Sequence, residues 1–273
     1  MTKPLHLIVH VPKCAGRTIE NHLDKHLGKN RFWTPGKRFR NLPLELFARK
    51  YDSRPPGRLE DVDAISGHLF GKSIESLFPD RQIKRSIILR EPIKQILSWY
   101  NFRMMRYMSE GMKPFPFALF VKSFPKNPTA NFLLERWLEL PWTRHGLMSA
   151  ETKVALLDAT LSEFDKIVDI SRADELCAWH SGYLGIPTHP ERTNTSEQWV
   201  ERTGWQPLQL RDLTDQDQKL LATRFAIDRY LWQRWALKQD VAFQPSGAFD
   251  DIRAELARPI FEIRVKAARR RGW

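Results

Sequence analysis

The stretch from Leu5 to Val11 is short, apolar and β-favouring, broken only by His6 and His10, and Pro12 ends it. A run of this kind against a turn former predicts a buried strand. Directly after it, Ile19, Leu23 and Leu27 recur at helical spacing, so Gly16 to Leu27 predicts an amphipathic helix. Ala64 and Ile65 predict a second short strand ending at Ser66-Gly67-His68, and Arg85 to Leu89 predicts a third. That third strand runs into Arg90, Glu91 and Pro92; proline suits the first turn of a helix, which is expected to continue through Trp99 to about Met108. Further helices are expected over Ser73 to Phe78, Phe132 to Leu138 and Ser149 to Leu161, then a strand over Lys166 to Ile170 and a helix from Ala173 to Leu184. Thr214 to Gln239 predicts one long helix, with Thr214 as cap and Asp215 and Asp217 in its first turn.

Between these elements, Arg31 to Gly57 is rich in Pro, Arg and aromatics, with a short helix expected around Leu44 to Lys50. Lys113 to Pro128 reads as short helices joined by loops, and Pro187 to Gly204 as a polar loop. Alternating strands and helices predict an α/β fold: a parallel sheet flanked by helices on both faces, with helical additions toward the C-terminus. With no internal repeat and no clear linker, one domain over residues 1–273 is expected.

Composition adds a partner class. The 42% of hydrophobic residues can build a sizeable core, while the formal net charge of +12 calls for an anion: nucleic acid, membrane surface, acidic glycan or polyphosphorylated small molecule. Two cysteines, Cys14 and Cys177, make no disulfide framework, and no Cys/His cluster has zinc spacing. The N-terminus lacks signal-peptide features, and no segment reaches the ~20 apolar residues of a membrane span. A bacterial, cytoplasmic protein is the expectation. The basic tail with Arg264, Lys266, Arg269, Arg270 and Arg271 could dock on anionic headgroups or be a simple charged terminus.

Candidate chemistry lies in two strand-to-helix turns. In open parallel sheets, ligands gather at the carboxyl ends of strands. The free N–H groups that open a helix attract an anion there. In HLIVHVPKCAGRTIENHL, Lys13 adds a mobile charge, Gly16 permits close backbone approach and Thr18 offers a hydroxyl. The segment is neither a Walker A loop nor GxGxxG. Nor is it a Cys-phosphatase loop, because Glu20 stands where an Arg would be needed. Cys14 could have a lowered pKa at a helix start, but a small turn residue is the preferred reading. In RSIILREPIKQILSWYNF, Arg90 ends the strand and Ser98 follows about two helical turns later. Spacing alone does not make these two residues meet. His22 and His26 lie one turn apart without a third ligand and are read as helix surface; no metal is expected.

Together the two stretches resemble the sulfotransferases that use 3′-phosphoadenosine 5′-phosphosulfate (PAPS). PKCAGRT is similar to that family's 5′-phosphosulfate loop, PKTGGT/S, although it departs at Cys14, Ala15 and Arg17. LREPIKQILSWY is similar to its 3′-phosphate motif, RxPxxxxxS. The likeness is closer to the carbohydrate branch of family 2 type, and SGHLFG lies between the motifs as it does there. It covers Leu5 to Phe102 and is weaker at FDKIVDI and ERTNTS. The resemblance implies a P-loop-like fold and transfer of a sulfuryl group from PAPS, as co-substrate, to a carbohydrate hydroxyl of a bacterial glycan, lipopolysaccharide or lipo-oligosaccharide. It implies that Lys13 stabilises the leaving phosphate and that Cys14, Ala15, Gly16, Arg17 and Thr18 hold the 5′-phosphate. Arg90 and Ser98 would hold the 3′-phosphate, with Arg192 and Asn194 as a later clamp. His68 would be the general base, since an imidazole titrates near neutrality.

The acceptor side is open. Trp33, Trp99, Trp137 and Trp142 could stack on sugars or lie in the core. The basic segment from Arg31 to Arg40 could bind an acidic glycan or cover the cofactor. Two other classes stay in view: a P-loop-like kinase acting on a small molecule or sugar, against which the missing Walker A sequence counts, and a nucleic-acid-binding protein. The second is suggested by charge alone, without a zinc finger, an RNP-type motif or a clear helix-turn-helix.

Overall fold

The computed structural model describes residues 3–35, 57–190, 200–201 and 203–245. Its centre is a five-stranded sheet made of β1 (Leu5–Val9), β2 (Phe32–Trp33), β3 (Ala64–Gly67), β4 (Ile83–Leu89) and β5 (Lys166–Asp169), in the order β2-β3-β1-β4-β5. Every pairing is parallel. A strand covered on both faces needs side chains that tolerate burial at every position, and all five residues of β1 are buried. Val9 pairs with Gly67 and with Ile87, so the segments that follow β1, β3 and β4 leave from the same edge. On one side of β1 lie β3 and β2; on the other lie β4 and β5. The direction of winding therefore reverses between β1 and β4, the point at which open parallel sheets offer a crevice at the carboxyl ends of their strands.

Helices flank the sheet. The first, α1 (Gly16–Arg31), buries Ile19, Leu23 and Leu27 and breaks its regularity at Gly28, where φ is +69°. Next, α2 (Pro92–Ser109) begins with Pro92 in its first turn, while the Glu91 carboxylate caps it by accepting from the backbone N–H groups of Ile93 and Lys94. It packs with α3 (Phe117–Ser123) in a second apolar cluster containing Tyr100, Met104, Phe120 and Phe225. After α4 (Pro128–Phe132), the chain makes a π turn at Leu133–Trp137. Then come α5 (Trp142–His145), α6 (Ala150–Leu161) and α7 (Ala173–Leu184).

The long helix expected over Thr214 to Gln239 is broken. It divides into α8 (Asp215–Arg224), α9 (Ala226–Leu231) and a π turn at Trp232–Ala236, with Phe225 non-helical at φ −125° and ψ 35°. Packing explains the break: Leu221 and Phe225 fill the second cluster, whereas Ile227 and Leu231 face the cluster around the sheet. Asn127 Oδ1 accepts from Ile227 N at 3.0 Å and so caps the new start. Thr214 does cap α8 as expected, through Asp217 N. The segment expected as a helix over Ser73 to Phe78 is a 3₁₀ turn, Lys72–Leu77. β2 was not foreseen, because two residues are too few to show a period. The expected helix at Leu44 to Lys50 and the basic tail fall outside the described residues, as do positions 36 to 40 of the basic aromatic segment.

Trp33 and Trp137 are core residues, whereas Trp142 is 42% exposed. His22 is not on the helix surface. It is buried, with Nε2 3.2 Å from Ser181 Oγ and 2.8 Å from the Pro187 carbonyl, and it ties α1 to α7. No group of three or more His, Cys, Asp or Glu among the described residues is placed to hold a metal. None of the described helices is long and apolar enough to cross a membrane.

Beneath α7, His6 and His180 are both fully buried with their Nδ1 atoms 2.9 Å apart, and Ser86 Oγ lies 2.8 Å from His180 Nε2. Burial lowers His6 from 6.5 to about 4. Burial, then the neighbouring His6, holds His180 well below its ordinary value. Histidines depressed in the folded state stabilise it fully only above their unfolded pKa. Stability should therefore fall as pH drops from 6.5 toward about 4, each such histidine removing about 1.4 kcal/mol per pH unit. Asp228, raised by burial from 3.8 to about 7, acts in the opposite sense and offsets one of them. Urea denaturation across this window is expected to show the net loss, and His6→Leu is expected to make it shallower. A pH-independent midpoint would refute this account.

Candidate functional site

The turn between β1 and α1 is held from outside. Lys13 and Ala15 lie in the left-handed region at φ 67° and 57°, a conformation that costs a non-glycine residue roughly 1–2 kcal/mol. Its carbonyls are occupied: Val11 O accepts from Cys14 N at 3.2 Å, Pro12 O from Gln95 Nε2 at 3.0 Å, and Lys13 O from Arg90 Nη1 at 3.0 Å. With the carbonyls bound, the backbone N–H groups of Ala15, Gly16 and Arg17 have no acceptor among the described residues. The expected cradle of Cys14 to Thr18 is accordingly smaller, because Cys14 N serves Val11 O and Thr18 N serves Ala15 O. Cys14 is a core plug, and burial pushes its thiol up rather than letting the helix start lower it.

The second junction meets the first. Arg90, at the end of β4, reaches across to the Lys13 carbonyl, and its Nε is buried without a partner among the described residues. Lys13 Nζ lies 4.0 Å from the centre of the Phe102 ring on α2. Burial, then the Arg90 charge, lowers the Lys13 ammonium from 10.5 to about 8. Ser98 is half-buried on α2, and no hydrogen bond joins it to Arg90. Arg17 is exposed, 4.0 Å from Glu20, and Thr18 is half-buried. Arg192 and Asn194 are outside the described residues.

A buried polar chain runs back from this turn. Gln95 Oε1 accepts from Thr129 Oγ1 at 2.9 Å, and the Asp228 carboxylate accepts from Thr129 N at 2.9 Å and Ala130 N at 2.8 Å. No sequence pattern links residues so far apart, and all three went unforeseen.

His68, just beyond β3, is brought to the same edge. Its Nδ1 is 2.6 Å from the His10 carbonyl, which can only accept, so Nδ1 carries the hydrogen and Nε2 keeps its lone pair. Burial first, then the neighbouring His10, lowers His68 from 6.5 to about 4, so its imidazole is neutral at pH 7. His10 itself lies 3.9 Å from His68, centre to centre, and its Nδ1 is 2.7 Å from Glu20 Oε1. Burial alone would raise the Glu20 carboxyl, but the hydrogen bond and charge of His10, with lesser help from His68 and Arg17, hold it below its ordinary value. Neither His10 nor Glu20 was singled out as a functional candidate. The available signals were a histidine inside the apolar run of Leu5 to Val11 and a carboxylate next to Ile19 on a buried helix face.

No protein-family model matches the chain. No curated protein matches it either.

The need for glycine at position 16 follows from this geometry. A Cβ there would fall 2.0 Å from the His10 ring. Gly16→Ala is expected to destabilise the fold by about 1–3 kcal/mol through overpacking. In the His10→Ala background the same change should cost much less, because the obstructing ring is gone. Urea denaturation of the four proteins of this cycle measures the coupling, and strictly additive losses would contradict the contact.

Proposed function

We propose that the chain is a PAPS-dependent carbohydrate O-sulfotransferase built on a P-loop-like α/β fold. The observation that carries this reading is the junction of the two motif turns: Arg90 Nη1 bonds to the Lys13 carbonyl at 3.0 Å, beside the crevice between β1 and β4. A doubly phosphorylated nucleotide needs an anion cradle at each end within one ligand's reach. The open amides of Ala15, Gly16 and Arg17 supply one end, at the start of a long helix. Arg90, whose buried Nε lacks a partner among the described residues, supplies charge at the other, with Ser98 as a hydroxyl donor.

In the proposed reaction the acceptor hydroxyl oxygen attacks sulfur, the bond from sulfur to the bridging phosphate oxygen breaks, and 3′,5′-ADP leaves. The hydroxyl proton passes to His68 Nε2, which is unprotonated at neutral pH. Lys13 leaves Phe102 to meet the charge that develops on the departing phosphate oxygen. With a pKa of about 8 it remains mostly charged at pH 7 yet gives up a proton readily. The Thr18 hydroxyl adds a donor at the 5′-phosphate.

Thermal denaturation with nucleotides tests the reading directly. Stabilisation by 3′,5′-ADP and none by Mg-ATP is expected; the reverse would assign the fold to a kinase. With labelled PAPS and a panel of glycans, mass spectrometry is expected to detect a sulfated product. His68→Ala should reduce its formation by about two orders of magnitude or more. Arg90→Ala should raise the KM for PAPS. An unchanged KM with weakened acceptor binding would remove Arg90 from the 3′-phosphate.

A further inference from the structure

His68 is held by groups that the proposed chemistry does not use. The His10 carbonyl takes its Nδ1–H at 2.6 Å, and the His10 ring lies beside it at 3.9 Å, centre to centre. The His10 ring is fixed in turn. Its Nδ1 is 2.7 Å from Glu20 Oε1, Gly16 offers no Cβ to obstruct it, and its backbone N–H donates to Gly67 O at 3.3 Å. Glu20 is fixed as well, since Ser66 Oγ lies 3.4 Å from Oε1 and Arg17 Nη1 lies 4.0 Å from Oε2. Both His10 and Glu20 are buried, so the pair is shielded from solvent.

We infer that Glu20 and His10 are positioning residues for His68: the carboxylate orients the His10 ring, and the ring and carbonyl of His10 hold the His68 imidazole with Nδ1–H bound and Nε2 free. This inference deepens the proposed function and rests on reading His68 as the proton acceptor. The charged and titratable groups facing His68 are His10 from the end of β1, and Glu20 and Arg17 from α1. Burial first, then the His10 ring beside it, opposes a proton on the His68 lone pair, which stays available well below neutrality, in accord with its value of about 4. The carboxylate does for His10 what a buried acid does for an imidazole elsewhere: it selects which ring nitrogen carries hydrogen.

The test uses the full chain with isotope-labelled histidine and nuclear magnetic resonance. In the wild type, His68 is expected as the neutral Nδ1–H tautomer at about pH 7. In His10→Gln, the His68 midpoint should rise by about one pH unit or more. In Glu20→Leu, which removes the acceptor at similar volume, the His10 ring loses its partner and His68 should show mixed tautomers. Unchanged His68 signals in a folded Glu20→Leu protein would overturn the inference even if His10→Gln failed to fold. Where PAPS is turned over, His10→Gln should lower kcat with little change in the KM for PAPS and move the acid limb of the pH profile upward. A wild-type profile in that variant would also overturn it. Absence of turnover by the wild type counts against the sulfotransferase reading alone, and the resonance data still decide the positioning roles.

Discussion

The turn after β1 keeps Lys13 and Ala15 in the left-handed region, and everything at the crevice depends on its staying there. Left alone, such a turn would relax. It is held because each exposed carbonyl finds a donor elsewhere: a backbone amide within the turn, the Gln95 amide from α2, and the Arg90 guanidinium from the end of β4. The same bonds settle what remains open. With carbonyls engaged on one side, the N–H groups of Ala15, Gly16 and Arg17 are left without an acceptor among the described residues on the other, and these are the groups the proposed anion cradle uses. The strand order supplies the place, since β1 and β4 are neighbours whose following connections diverge.

Histidine appears in this fold in two settings that differ in satisfaction. Beneath α7, His6 and His180 share a bond, but His6 Nε2 is buried without a partner among the described residues. At the crevice, His10 and His68 have their Nδ1 hydrogens accepted, one by a carboxylate and one by a carbonyl. The first arrangement only penalises protonation. The second directs it, because a ring with one nitrogen committed has a single atom left for chemistry.

Much of the frame was legible in the sequence. Apolar runs bounded by Pro12 and by Pro92 marked β1 and β4, and the period of Ile19, Leu23 and Leu27 marked α1. Local chemistry was legible too, as in the Thr214 cap and the glycine at position 16, although the reason for that glycine was not: it is the His10 ring, just past the preceding strand. What escaped was non-local. The division of the helix at Phe225 depends on two apolar clusters pulling in different directions, and the burial of His22 on a serine and a carbonyl of another element. Periodicity records which face of a helix is apolar; it does not record which neighbour that face meets, nor that a polar residue on it will find a buried partner.

The chain of bonds from Pro12 through Gln95 and Thr129 to Asp228 also bears on modularity. Both motifs lie within the first 102 residues, yet the conformation of the first is braced by a carboxylate in α9. A fragment carrying only the motif-bearing strands and helices would leave Gln95 without its hydroxyl donor and the turn without its furthest support. Thr129 and Asp228 therefore help set the geometry of the opening turn, so the late helical portion is not an interchangeable appendage of the sheet.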